Sequence, residues 1–417
     1  VHNLSMHSGI NSGLVVTGET KLEKGFHGFV GDTINLASRL SSLANVNEIL
    51  VGPETFSQAK GQFDFEPIKA TKIKGKEKPV PIYRLVAVKT HPEEMKGIDT
   101  RLIGRDNELR YLQETFRKTM EDRKTSIITV VGEAGIGKSR LLYEFAQWLD
   151  SVPGECFVFR GRGTPENRKS TNGLWKNLFS HQFGIEVRDG PDEVIAKFRR
   201  NLGEILEGGK ADLMGHFVGF DFSSSLAVKN LLGSQAFEAM AIASLSNYVR
   251  SFTRGETVLL LDDIHFADAG SLDTLEQIIK SLPAAPLMIV CMARPILYEY
   301  RSEWGQNLNG HGVLQLKSFS NQDSEVFVKE IFNLGSPIPE RLINLIVDRA
   351  EGNPFYIEEL VKMLEEEGVI TGNSEQWDIS LDDLIKLKIP TSLNGILQAR
   401  LDALPEMQKR FLHRASV

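Results

Sequence analysis

The sequence predicts a multidomain protein that combines α/β and α+β regions, and three observations lead to this prediction. The chain has 417 residues, which is more than a single hydrophobic core usually serves. Residues 127–139 read as a short apolar strand followed by a glycine-rich loop that ends in Lys-Ser. From residue 102 to about residue 293, strand-like and helix-like patterns alternate, which is typical of a parallel sheet with helices on both faces.

The composition is that of an ordinary globular protein. Hydrophobic residues make up 41% and charged residues 25% of the chain, and the formal net charge of −7 does not favour binding to nucleic acid. No run approaches the roughly 18 consecutive apolar residues of a membrane-spanning helix, so we expect no membrane partner. Cys156 and Cys291 read as buried thiols of a reducing compartment, which predicts a cytoplasmic location.

The glycine-rich loop has the pattern G-x-x-x-x-G-K-[ST], which predicts a site for a nucleoside triphosphate. Gly132, Gly135 and Gly137 allow a tight bend in which several backbone N–H groups point to one spot. The helix that follows adds the positive end of its dipole. Lys138 is expected to reach the β/γ oxygens, and the Ser139 hydroxyl is expected to bind Mg²⁺ or Mn²⁺. The alternative is an ordinary glycine turn between a strand and a helix.

A second apolar strand is predicted over residues 257–263, and it ends in Asp262 and Asp263. Charges at the end of a buried strand need a partner, and the magnesium ion of a bound nucleotide would supply one. We therefore predict that Asp262 belongs to the metal shell and that Asp263 orients or deprotonates the attacking water. Without the glycine-rich loop, the pattern would be explained equally well by a strand that runs into a polar loop.

The N-terminal segment, residues 1–88, has its own pattern of short elements. It opens with a predicted hairpin, whose strands cover residues 3–10 and 14–17. The other elements expected there are a helix at residues 33–43 and strands at 48–51 and 81–88.

The rest of the chain divides into a linker, a nucleotide-binding domain and a helical region. Residues 89–100 are polar and without periodicity, as in a linker. Residues 101–318 form the predicted P-loop domain, in which 165–255 are mostly helical and read as an insertion or lid. Residues 319–388 are predicted to form a helical subdomain, which includes a helix at 355–367.

A helix pattern at residues 31–40 carries the second functional signal. Asn35 and Arg39 lie four residues apart and therefore share one helix face, which taken alone could be a solvated surface. Together with the sequences at 7–18 and 74–83, this pattern resembles the C-terminal half of a class III adenylate/guanylate cyclase domain. The resemblance covers nearly all of residues 3–88 and implies part of a ferredoxin-like fold.

The resemblance to cyclases implies roles for individual residues. Asn35 would orient the ribose, and Arg39 would stabilise the charge that builds on the phosphates as the 3′-oxygen attacks the α-phosphorus. Lys74, preferred over Lys76, would contact the terminal phosphates, although both could also belong to a solvated charged hairpin. In such an in-line transfer, positioning and fixed positive charge supply most of the catalysis.

The chain departs from the cyclase pattern in two respects. The two metal-binding aspartates of the family lie in the N-terminal half of the domain, which we expect to precede Val1 in a longer protein. Asp32 is better explained as a cap or turn residue than as their replacement. Gly28 stands where many members carry a purine-contacting side chain, so the base preference is left open. The family also implies a dimer of cyclase domains, formed by two chains or by two domains of one chain.

Residues from about 101 onward resemble the signal-transduction (STAND-type) AAA+-related ATPases. The matching stretches are residues 102–109, the glycine-rich loop, 261–268 and 352–355. The resemblance implies a switch between ADP-bound and ATP-bound forms. It also implies that Gly104 and Arg105 lie along the adenine, that Pro354 packs on the base and that Arg294 senses the γ-phosphate. His265 is predicted to pack or cap rather than act as a base, and residues 389–417 resemble the entry to a winged-helix module.

The two resemblances together predict a signalling enzyme that makes cyclic AMP and pyrophosphate from ATP and is regulated by a fused switch ATPase. The fragment alone is not expected to cyclise ATP, and its helical C-terminal region is a possible site for a protein partner. One alternative is a nucleotide-gated scaffold or transcriptional regulator whose degenerate cyclase-like domain only dimerises. A small-molecule kinase is a weaker alternative.

Overall fold

The computed structural model describes residues 7–13, 16–17, 29–30, 32–46, 48–59, 63–71, 80–88, 101–166, 168, 170–186, 189–207, 209–332, 338–373, 376–379 and 395. They fall into two compact units, within residues 1–96 and 97–417. The predicted linker and, apart from Gly395, the predicted winged-helix region lie outside the described residues. Within the described part of the chain, no helix has the length and apolar character needed to cross a membrane.

The first unit is a four-stranded sheet with two helices packed on it. Its elements are β1 (Ser8–Ile10), β2 (Val16–Thr17), β3 (Phe29–Val30), α1 (Asp32–Leu43), β4 (Ile49–Val51), α2 (Pro53–Ala59), β5 (Phe63–Thr71) and β6 (Val80–Val88). The strand order in the sheet is β1-β4-β6-β5, in which β1 and β4 are parallel and the other neighbours are antiparallel.

The predicted hairpin between residues 3–10 and 14–17 is wrong for the described residues. β1 pairs with β4, whereas β2 pairs with β3. The reason lies in the turn after β1, where the Ser12 amide donates to Thr55 Oγ1 at 2.8 Å and the Gly52 amide donates to Ile10 O at 3.0 Å. These bonds lead the chain towards α2 instead of folding it back onto β1.

Helix α1 packs directly on the sheet of the first unit. Leu36 and Leu40 are buried in a small core with Leu50 and Ile82. The close approach requires Gly9, because a Cβ atom there would lie 2.0 Å from the backbone nitrogen of Ser41. The helix predicted at 33–43 is therefore held in place by the face that carries Leu36 and Leu40.

The second unit is built on a five-stranded parallel sheet. Its strands are β7 (Ser126–Val131), β8 (Cys156–Arg162), β9 (Glu256–Asp262), β10 (Leu287–Ala293) and β11 (His311–Gln315), in the order β11-β7-β10-β9-β8. Buried residues alternate between the two faces of the sheet: Leu259 and Leu261 face one core, and Val258 and Leu260 face the other. The mixed α/β class and the parallel sheet predicted from the sequence are confirmed.

Helices cover both faces of this sheet and form the region after it. They are α3 (Asp106–Asp122), α4 (Lys138–Asp150), α5 (Gly173–Gln182), α6 (Pro191–Leu202), α7 (Lys210–Phe217), α8 (Leu226–Leu231), α9 (Gln235–Phe252), α10 (Ala269–Ser281), α11 (Leu297–Tyr300), α12 (Asn321–Ile331), α13 (Glu340–Ala350) and α14 (Pro354–Glu366). Helices α12 to α14 share a separate core, and a hairpin of β12 (Ile370–Asn373) and β13 (Gln376–Ile379) follows them.

Asp268 ties the helical insertion to the sheet domain. One carboxylate oxygen accepts hydrogen bonds from the Ser271 and Asn172 amides, at 3.0 and 3.1 Å. The other accepts from the Gly173 amide at 2.9 Å and from the Ser271 hydroxyl at 2.6 Å. One side chain thus satisfies N–H groups at the start of both α5 and α10, and fixes the chain just after β9.

Candidate nucleotide-binding site

The glycine-rich loop joins β7, an inner strand of the parallel sheet, to α4. Gly135 and Gly137 have φ values of 75° and 95°, a conformation that side chains with a Cβ rarely adopt. The Gly132 amide donates to Ala293 O at 3.2 Å, which fixes the start of the loop to the end of β10. The predicted strand, loop and helix order is therefore present, and the loop lies at the carboxyl edge of the sheet.

Lys138 lies at the first position of α4 and is buried. Its Nζ donates to the backbone oxygens of Gly132 and Glu133, each at 2.7 Å. Burial, and secondarily the charge of Arg294, lower the pKa of Lys138. The ammonium is thus enclosed by weakly accepting carbonyls, and phosphate oxygens would be stronger acceptors for it.

Ser139 and Asp262, both predicted to hold the metal ion, are brought together. The Ser139 hydroxyl donates to Asp262 Oδ2 at 3.1 Å. Burial, with a further contribution from Asp263, raises the pKa of Asp262 to about 6. A cation at this carboxylate would offset both effects. The pair fits Mg²⁺, because that ion binds through one or two protein oxygens and completes its shell with phosphate and water.

The raised pKa of Asp262 leads to a prediction for the nucleotide-free protein. The folded pKa of about 6 lies above the ordinary value of 3.8, so the folded state binds the proton more tightly and loses stability as pH rises from 3.8 through 6. Asp262→Asn removes the cost of the buried charge but also loses one hydrogen bond. At pH 7.5 in EDTA, the unfolding free energy should therefore rise by about 2 kcal/mol. Urea unfolding should show the difference shrinking to nothing near pH 4. An equally large gain at both pH values would contradict the assignment.

Asp263, predicted to orient or deprotonate water, is held by a neighbouring arginine. Nη2 and Nε of Arg162 lie 3.2 and 3.3 Å from Asp263 Oδ2. The backbone of Asp263 is left-handed, with φ of 51°, and its amide donates to Asp262 Oδ1 at 2.9 Å. The sequence reading missed Arg162. Its position could have identified it, because Arg162 is the last residue of β8, the strand next to β9, and the carboxyl ends of parallel strands lie at the same edge of the sheet.

His265 and Arg294 lie near the two aspartates. His265 Nδ1 is 3.8 Å from Asp263 Oδ1, and neither ring nitrogen has a hydrogen-bond partner among the described residues. Burial lowers the pKa of His265 to about 4, so the ring is neutral at pH 7, in keeping with a packing role. Arg294 follows β10 directly, and its guanidinium carbon lies 5.8 Å from the centre of the Phe266 ring. Its contact with a γ-phosphate stays a prediction.

The residues expected along the adenine lie around the outer side of the loop. Gly104 has φ of 61°, and Arg105, which is buried, donates through Nη2 to Ile136 O at 2.9 Å and Lys317 O at 2.7 Å. Pro354 is buried at the first position of α14. Arg105 therefore bonds to the loop itself in this structure, and the adenine contacts stay predictions.

In the first unit, the described cyclase residues lie on α1. Asn35 is exposed and Arg39 is half-buried, one turn further along the helix. Lys74 and Gly28 lie outside the described residues, as does the side chain of Asp32. The catalytic roles of Asn35, Arg39 and Lys74 stay predictions.

The parallel sheet, glycine-rich loop and acidic strand end make the second unit a P-loop-like α/β domain. The family comparisons give the finer assignment: residues 101–290 match the model of the AAA ATPase domain, and residues 1–87 match that of the adenylate and guanylate cyclase catalytic domain. A domain of unknown function matches residues 327–375. The chain therefore combines sequence of a cyclase catalytic domain with an AAA ATPase domain, which confirms both resemblances.

Several known proteins are similar to all or part of this chain. An uncharacterized protein of Rhizobium meliloti (strain 1021) is 25% identical over 389 residues, which are 90% of this chain and 35% of that protein. Adenylate cyclase type 10 of Oryctolagus cuniculus is 24% identical over 283 residues, covering 64% of this chain and 16% of the relative. The crystal structure of the adenylyl cyclase CyaB from P. aeruginosa is 33% identical over 19% of this chain and 42% of that chain, with a TM-score of 0.19. This chain thus spans about a third or less of the two full-length relatives.

Proposed function

We propose that the protein is a signalling adenylate cyclase whose output is governed by ATP bound to the AAA unit. The observation that carries the regulatory half is the contact of the Ser139 hydroxyl with Asp262 beside the buried Lys138. Because the chain also matches a cyclase catalytic domain, we expect a second place to bind a triphosphate. The two free cysteines fit a cytoplasmic location.

At the AAA unit, the residues of the chain would divide the work between phosphate and metal. Lys138 would exchange its two backbone acceptors for phosphate oxygens, while loop amides and the start of α4 hold the phosphate chain. Ser139 and Asp262 would hold Mg²⁺, which neutralises charge on the β- and γ-phosphates. Asp263 would need to leave Arg162 before it could orient water, so we expect slow turnover and a switch role.

At the cyclase unit, the reaction joins the 3′-oxygen of ATP to its own α-phosphorus. That bond forms as the bond from the α-phosphorus to the bridging oxygen breaks, pyrophosphate leaves, and the 3′-hydroxyl gives up its proton. Asn35 would orient the ribose and Arg39 would face the developing phosphate charge from the same side of α1. We propose that two cyclase domains form the complete site and that Lys74 contacts the terminal phosphates.

The choice of ATP over GTP is the finer part of the proposal. It is supported by the relatives, since adenylate cyclase type 10 of several mammals matches this chain through both units. The full-length protein, incubated with α-labelled ATP or GTP and divalent metal, should yield labelled cyclic AMP from ATP in preference to labelled cyclic GMP from GTP. Failure to form either cyclic nucleotide, with ATP binding intact, would favour the scaffold alternative.

A further inference from the structure

The outward side of the glycine-rich loop contacts two distant parts of the chain. Gly132 O and Glu133 O accept hydrogen bonds from Lys138, and the loop carbonyls that follow need other donors. Three consecutive carbonyls have them. Ala134 O accepts from Asn353 Nδ2 at 3.0 Å, Gly135 O accepts from the Phe355 amide at 3.3 Å, and Ile136 O accepts from Arg105 Nη2 at 2.9 Å.

Two of these three donors come from the first turn of α14. Helix N-termini have free N–H groups, and those of α14 can be followed one by one. Pro354 has none, the Tyr356 amide donates to Asn353 Oδ1 at 3.3 Å, and the Phe355 amide goes to the loop. The amide group of Asn353 therefore caps α14 with its oxygen and holds the loop with its nitrogen.

The fit between loop and helix is tight. A Cβ atom on Gly135 would lie 2.8 Å from both Asn353 Oδ1 and Phe355 Cβ, so the loop cannot approach α14 in this way with any other residue. Helix α14 also belongs to the core shared by α12 and α13. The loop conformation is thus fixed by the placement of the helical region.

We infer that Asn353 is a positioning residue for the nucleotide: through the Ala134 carbonyl it holds the loop in the phosphate-binding conformation, and it couples nucleotide affinity to the docking of α14. The inference rests on the proposed nucleotide site. Because such coupling is reciprocal, a bound nucleotide must strengthen the docking of α14 by the factor by which docking strengthens binding. The helical region would sense the nucleotide through this contact.

The test compares two Asn353 variants in the complete 417-residue chain. Asn353→Asp and Asn353→Ser both keep an oxygen that caps α14, and both lose the amide Nδ2 that donates to Ala134 O. We expect calorimetry to show ATP binding weakened about tenfold in each, because an outward carbonyl loses its partner. The unfolding temperature without nucleotide should stay within about 2 °C of wild type, since the cap is retained.

Ser320→Ala provides the matched control. Ser320 caps α12 by accepting the Asp323 amide at 3.0 Å, in the same helical region, and its hydroxyl bonds to Asp323 rather than to the loop. Its loss should lower the unfolding temperature by about 1–2 °C, as cap removal costs about 1 kcal/mol, and should leave ATP affinity unchanged. Hydrogen exchange adds a readout of coupling. ATP should slow exchange of the peptide that contains the Phe355 amide in wild type, and should slow it less in Asn353→Ser.

The outcomes separate this inference from the proposed function. If wild type binds ATP and Lys138→Ala does not, but Asn353→Ser binds as wild type does, the inference is wrong while the nucleotide site stands. Weaker binding in Asn353→Asp alone would also overturn it, because added negative charge near the phosphates then explains the effect. If wild type fails to bind ATP, both proposals fall.

Discussion

Replacing Lys138 by alanine should abolish detectable ATP binding to the AAA unit. The ammonium belongs to the first residue of α4, and phosphate oxygens would replace the two backbone oxygens it now contacts at 2.7 Å. Loss of charge-assisted hydrogen bonds worth about 3 kcal/mol weakens binding by about 100-fold. Titration of MgATP into the complete chain measures this directly.

The ligand-free Lys138→Ala protein should remain folded, which makes the loss of binding interpretable. Burial lowers the pKa of Lys138, so its charge is a cost to the folded state at pH 7, and removing it should leave the unfolding temperature unchanged or higher. Lys229→Ala, at an exposed position of α8, controls for the loss of one positive charge. ATP affinity equal to wild type in Lys138→Ala would remove the assignment of the loop.

Local patterns predicted the parts of the site that are contiguous in sequence. About a dozen consecutive residues are enough to predict each of three elements: the glycine-rich loop, the strand that ends at Asp262 and the helix that carries Arg39. The helix predicted at 355–367 is present as α14 over Pro354–Glu366, with Asn353 as its cap and Pro354 at its first position. In each case the residues that define the element also carry its function or its boundary.

The missed features depend on partners that are remote in sequence. Strand β5 was not predicted, because Pro67 and the register shifts next to Asp64 and Ile68 interrupt the alternating pattern of a strand. An edge strand such as β5 tolerates both the proline and the shifts. The bond from Asn353 to Ala134 joins residues 219 positions apart, and the pairing of Arg162 with Asp263 joins residues 101 positions apart. Periodicity carries no information on such pairings.

Replacing Arg39 by alanine should lower cyclase turnover of the full-length protein by about 100- to 1,000-fold, the usual cost of removing one group that stabilises transition-state charge. Arg39 lies one turn after Asn35 on α1, whose attachment to the sheet depends on the buried Leu36 and Leu40. The substitution therefore removes the guanidinium without removing the contacts that hold the helix. Cyclic nucleotide formation at saturating ATP measures the effect.

Two further variants decide whether charge placement, rather than helix integrity, explains the loss. Ser38→Ala changes the exposed residue next to Arg39 and should keep wild-type turnover. The Ser38 backbone oxygen accepts the Ser42 hydroxyl at 3.0 Å, and this bond does not depend on the Ser38 side chain. Arg39→Lys keeps the charge but not the planar fork, and should recover only part of the activity. Turnover of Arg39→Ala within a few-fold of wild type would contradict the transition-state role. It would then favour a cyclase-like unit that serves only to bring two chains together.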